Sequence, residues 1–139
     1  MALILFVGTD LTVLEGLAQT LAAAGERVRL TTSLYDIDLV EVTDPPLVAV
    51  VERGLAYEAT RTGTGIPSLT LAHGGTLVLY HGIDDGPLTL PGALTRMVLA
   101  DLTLPLERQR LVALVQTVAA RERDRAAGTL TPRPEMWRR

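Results

Sequence analysis

Few side chains in this sequence can do chemistry. It has two histidines, His73 and His81, and no cysteine. The sequence contains neither lysine nor asparagine, and with no lysine all 13 Lys/Arg positions are arginines. The missing thiols exclude disulfides, thiolate metal sites and a cysteine nucleophile. The missing lysines exclude a Schiff base, a Walker-type phosphate lysine and lysine acid–base catalysis. Codon bias in a GC-rich genome is a sufficient origin for both absences, but they bound the chemistry all the same.

The remaining candidates are weak as catalytic constellations. His73 and His81, with Asp84 and Asp85, offer imidazole and carboxylate ligands to a metal. No HxxxH or HExxH spacing joins them, so they read as loop residues and no metal is expected. Ser68 near His73 lacks both a base known to be in reach and an orienting acid, so it is no triad. "GTGIPS" at 63–68 and "HGG" at 73–75 could present backbone N–H groups to a phosphate. Both lack the GxGxxG spacing, and no clear helix follows either, so turns are the expected use. Glu52 beside Arg53 reads as a solvated strand-end pair; an acidic mimic or an acceptor is the sharper alternative.

The segments carrying these residues alternate between strand and helix patterns. Residues 3–7 form a continuous apolar run, as in a strand buried on both faces. Thr12 with Glu15 predicts a capping box; Leu14, Leu17, Ala18 and Leu21 share one helical face, and Gly25 supplies the stop. Residues 27–31 alternate, with Val28 and Leu30 inward, which suits an edge strand. Ser33 predicts the cap of a helix over 34–42, ended by Asp44-Pro45-Pro46. Residues 47–51 read as a central strand. A short helix at 55–61, an exposed strand at 68–72, and buried strands at 76–80 and 97–104 follow. Glycines and prolines leave room for one or two helical turns near 92–96. From Leu106 to about Arg125 a helix is predicted, with Leu111, Leu114, Val115 and Val118 as its buried stripe.

At 139 residues and 47% hydrophobic content the chain suits one globular domain and not a disordered segment. No apolar run reaches the ~20 residues of a membrane span. The amino terminus lacks a basic n-region, so a soluble, cytoplasmic protein is expected. The net charge of −3 argues against nucleic acid as a partner. That charge is uneven: residues 121–139 carry +3 and residues 1–120 carry −6. A last helical turn favours arginines through the helix dipole, so the basic end alone is no evidence of a binding site. Trp137, in the tail, could anchor on a partner or a second copy of the chain.

Five strands alternating with helices predict an α/β, flavodoxin-like doubly wound parallel sheet, with irregular third and fourth helical connections and a ligand site at the carboxyl ends of the strands. Three segments carry a closer likeness: "LILFVGTDLTVLEGLAQTLAAAGERVRLTTS", "TDPPLVAVVE" and "ADLTLPLERQRLVALVQTVAAR". Through them, residues 1–125 resemble the receiver (CheY-like) domain of two-component response regulators, with 126–139 left as a flexible tail. The resemblance implies a phospho-accepting Asp on strand three, an acidic pair holding Mg²⁺ after strand one, a hydroxyl ending strand four, and a lysine before a proline. Here the acidic pair falls on Gly8 and Thr9, with Asp10 adjacent. The acceptor position aligns with Val51, followed by Glu52. The hydroxyl falls on Tyr80 or His81, and the lysine on Leu104, ahead of Pro105.

The resemblance therefore implies a degenerate receiver, or pseudo-receiver. Such a module is non-catalytic, holds no cofactor, and works through a protein partner or as a homodimer. Its expected contact surface is strand five and the last helix, with Arg108, Arg110 and Arg121 as candidates. Two alternatives stand beside it. One is a small-molecule or nucleotide binder at a cleft near Gly8, Thr9, Asp10, Glu52 and Arg53. The other is an atypical phospho-receiver in a phosphorelay.

Overall fold

The computed structural model describes residues 3–32, 45–62, 71–72 and 74–130. Their elements run β1 (Leu3–Val7), α1 (Leu11–Ala23), β2 (Arg27–Thr31), β3 (Val48–Glu52), α2 (Arg53–Thr62), β4 (Thr76–Gly82), α3 (Gly92–Met97), β5 (Val98–Leu104) and α4 (Arg108–Leu130). The strands form one sheet in the order β2-β1-β3-β4-β5, and every pairing is parallel. This is the doubly wound arrangement predicted from the alternation. The predicted helix over 34–42, and most of the predicted strand at 68–72, lie outside the described residues.

Strand residues alternate faces, and both faces are covered, which is why β1 and β3 read as unbroken apolar runs. Ile4, Phe6, Val48, Val50, Val78, Tyr80, Leu102 and Leu104 pack toward α1 and α4, against Leu14, Leu17, Leu111 and Val115. Leu5, Val7, Ala49, Val51, Leu77 and Leu79 pack on the opposite face, against Ala56 and Ala59 of α2 and Leu94 of α3. β2 lies at one edge, where Val28 and Leu30 are half-buried against the α1 side.

Helix ends depart from the sequence expectations in instructive ways. The N-cap of α1 is Asp10, whose carboxylate accepts from the Val13 N–H at a long 3.5 Å; Thr12 is already inside the helix. Asp is as good a cap as Thr, and the earlier residue reaches the open N–H groups first. At the other end Gly25 adopts φ +100°, and the N–H groups of Gly25 and Glu26 donate to the carbonyls of Ala22 and Leu21. That pairing is a Schellman stop, and it requires the left-handed glycine. β3 ends at Glu52, one residue later than predicted, and α2 starts at once with Arg53. α4 continues to Leu130, past the predicted end near Arg125. Ala126 and Ala127 favour helix strongly, and a single Gly128 costs a helix only about 1 kcal/mol. Residues 131–139, Trp137 among them, lie outside the described residues.

Candidate functional site

The carboxyl ends of β1, β3, β4 and β5 meet at one edge of the sheet. On the α1 side they enclose a cleft of about 380 Å³, lined by Thr9, Asp10, Glu52, Tyr80, Gly82, Ile83, Asp84, Asp85, Leu104 and Pro105. Strand parity explains the choice of lining. Glu52 pairs in register with Tyr80, and Tyr80 with Leu102, so Glu52, Tyr80 and Leu104 all point to the same side. Val51 has the opposite parity and is fully buried in the core beneath α2. The acceptor position read from the sequence is therefore off the cleft, and Glu52 stands in it.

Glu52 is not paired with Arg53, contrary to the sequence expectation. Its Oε1 accepts two hydrogen bonds, from the Thr9 N–H and the Thr9 hydroxyl, each at 2.8 Å. These tie the end of β3 to the turn after β1. Arg53 turns to the opposite face, because the chain enters α2 there. Its guanidinium donates to the Gly86 carbonyl at 2.6 Å and lies 3.5 Å from the Asp101 carboxylate.

Tyr80 forms the floor of the cleft, and Gly8 makes room for it. A Cβ on Gly8 would stand 1.7 Å from the Tyr80 hydroxyl oxygen, so no side chain fits there. That hydroxyl is buried without a hydrogen-bond partner among the described residues. Burial foremost, and then the nearby carboxylates of Glu52 and Asp10, hold the phenol well above its ordinary pKa. Glu52 lies near enough to act on the hydroxyl as a charge, but falls short of hydrogen-bond geometry. Leu104 is buried and Pro105 exposed on the far wall; the peptide between them is cis. Asp85 accepts from the Gly82 N–H at 2.7 Å and so shapes the loop after β4.

His81 lies on the other face, in a network that sequence reading did not anticipate. Its Nδ1 lies 2.9 Å from Asp101 Oδ1, and its Nε2 lies 2.9 Å from the Thr103 hydroxyl. A carboxylate only accepts, so Nδ1 carries a proton and, in the neutral ring, Nε2 accepts from Thr103. The Thr103 N–H donates to Glu107 at 2.7 Å, and Glu107 pairs with Arg110 at 2.8 Å. The Thr103 N–H first, then Arg110, holds the Glu107 carboxyl below its usual range. The only signal for this network was a lone Asp101 inside an apolar edge strand.

The structure does not assemble the metal candidates. His81 faces away from Asp84 and Asp85, and His73 lies outside the described residues. Among the described residues no three His, Asp or Glu side chains converge on a point where a metal could sit. With Gly8 and Thr9 where an acidic pair would stand, the donor set does not fit Mg²⁺. Gly74, at φ +80°, and Gly75 form a turn into β4, and "GTGIPS" lies outside the described residues. Among the interface candidates, Arg108 donates to the Thr20 hydroxyl at 3.0 Å and Arg110 to Glu107. Arg121 is exposed.

No protein-family profile and no curated protein sequence matches the chain. Solved structures do. A two-component response regulator from Clostridium difficile aligns at TM-score 0.66 and 17% identity, over 88% of this chain and 98% of its own. A CheY-like receiver domain protein from Methanospirillum hungatei aligns at TM-score 0.60 and 15% identity, over 89% and 98%. The fold is that of the receiver domain. NtrX from Brucella abortus aligns with 94% of this chain at TM-score 0.63 and 17% identity, and the matching part is 29% of its own chain. The cleft lies at the carboxyl edge of this receiver fold, where doubly wound sheets place their ligands. Among the described residues no helix is long and apolar enough to cross a membrane.

Proposed function

We propose that the chain is a signalling module of the two-component type that works by protein contact and does not transfer phosphate. The carrying observation is the make-up of the cleft. Phosphoryl transfer needs cations on the transferring group. The ten residues lining the cleft include no basic side chain, and Leu104 stands where the receiver resemblance puts lysine. Tyr80 and Leu104 fill the space with aromatic and aliphatic surface, and the Asp10 carboxylate caps α1. In this reading β5 and α4 form the contact surface for a partner or a second copy. Of the arginines there, Arg121 is the one to mutate first, since Arg108 and Arg110 are held by neighbours on their own chain.

Exposure to acetyl phosphate and Mg²⁺ followed by intact-mass measurement tests this reading. The expected result is an unchanged mass. A phosphate adduct on Glu52 or Asp10 would establish an atypical phospho-receiver instead.

A further inference from the structure

The cleft holds four carboxylates, those of Asp10, Glu52, Asp84 and Asp85, and no cation of its own. Carboxylates that line one cleft repel one another, and a bound cation offsets that repulsion. We infer that this cleft takes a guanidinium group, the side chain of an arginine on a protein partner. The inference rests on the protein-contact reading above and names what the partner must present.

Three observations select the ligand chemistry. First, among the described residues no three carboxylates converge on one point, so the cleft forms no all-protein metal cage, and a hydrated Mg²⁺ is the competitor the test includes. A planar, delocalised cation with five N–H donors suits acceptors that do not converge. Second, acceptor capacity is left over. Glu52 commits Oε1 to Thr9, and Asp84 makes no hydrogen bond or ion pair with the described residues. Third, Tyr80 is 3% exposed and lines the cleft with a hydroxyl that meets no hydrogen-bond partner among the described residues. With its O–H turned toward the neighbouring carboxylates, the phenolic oxygen keeps acceptor capacity for an incoming donor.

The rest of the lining fits the aliphatic stem of arginine. Leu104, Pro105 and Ile83, which is 58% exposed, provide apolar surface along which methylenes can lie while the head reaches the acids. The volume of about 380 Å³ accommodates a side chain. A nucleotide, the alternative raised by the sequence, would set its phosphates against four carboxylates.

The test follows amide resonances of the ¹⁵N-labelled full chain during titration with a blocked Gly-Arg-Gly peptide. Parallel titrations use the citrulline peptide, a neutral isostere, and MgCl₂. Saturable shifts at Thr9, Asp10 and residues 82–85 are expected with arginine, and about tenfold weaker binding with citrulline. Asp84→Asn, at an exposed position, and Tyr80→Phe are each expected to weaken the arginine peptide about threefold while the spectrum stays dispersed. Absence of saturable shifts, equal binding of citrulline, or tighter binding of Mg²⁺ at the same amides would each overturn the site. Failure of the peptide with no phosphate uptake removes the site and leaves the protein-contact reading. Phosphate uptake removes that reading whatever the peptide does.

Discussion

Tyr80 and His81 are consecutive residues of β4, and strand parity sends them into two opposite polar environments. On the α2 side His81 has a partner at each ring nitrogen, Asp101 meets both His81 and Arg53, and Thr103 uses its hydroxyl and its N–H. On the α1 side the Tyr80 hydroxyl is buried and has no hydrogen-bond partner among the described residues, beside carboxylates that meet no cation in the cleft lining. Both regions occupy the same edge of the same sheet. One is a closed clamp holding β4, β5, α2 and the start of α4 together. The other is open, and unsatisfied groups at an otherwise well-paired edge are where a ligand has something to gain.

The largest expected effect comes from closing the open side by force. Gly8→Ala puts a methyl into the Tyr80 ring, with Leu14 close behind, so the core must shift. A loss of about 3 kcal/mol is expected in urea unfolding. In a Tyr80→Ala background the same substitution should cost almost nothing, because the obstructing ring is gone. If the two losses simply add, the close approach of Gly8 and Tyr80 is not what fixes the floor of the cleft.

The clamp is expected to fail by the opposite route, through loss of a partner. Among the described residues, Asp101→Ala leaves Arg53, whose side chain is 10% exposed, without its carboxylate partner, and the His81 Nδ1–H without its acceptor. Destabilisation of about 1–2 kcal/mol is expected, limited by the partial exposure of Asp101. Asp84→Asn on the cleft rim should fall within about 0.5 kcal/mol of the parent. Equal losses at the two aspartates, measured by the same denaturation, would erase the distinction between clamp and cleft.

The two regions also differed in how legible they were. Strand order and the two-faced core were readable because continuous runs such as residues 3–7 and 47–51 admit few other uses. Of the pocket residues the sequence points to, the cleft gathers Thr9, Asp10, Glu52, Tyr80, Leu104 and Pro105, while Gly8 backs Tyr80, and Val51 and His81 lie off it. Their facing was not legible. β3 ends at Glu52 and not at Val51, and one residue reverses a strand side chain from core to cleft. The clamp was invisible because its members sit far apart in sequence: Arg53, His81 and Asp101 meet only through the register of β4 with β5 and the entry into α2. Local pattern carries no information about such pairings. In sequence His81 accordingly groups with Asp84 and Asp85, which line the cleft on the other face.

The smallest expected effect carries the opposite sign and tests the open side most directly. Tyr80→Phe removes a buried hydroxyl that has no hydrogen-bond partner among the described residues, so it should raise stability by about 1 kcal/mol at neutral pH. The gain should widen in alkali. The folded-state pKa of Tyr80 is raised, so the unfolded chain releases its phenolic proton first, near pH ~10, and the parent loses stability as pH rises beyond that point. The phenylalanine variant has no such proton at this position and should be spared that part of the decline. Urea unfolding of both proteins at neutral pH and near pH ~11 measures the two gaps. A variant less stable than the parent at neutral pH would mean that the hydroxyl has a partner in solution. The open side would then be as closed as the clamp, and the case for a ligand there would lose its strongest support.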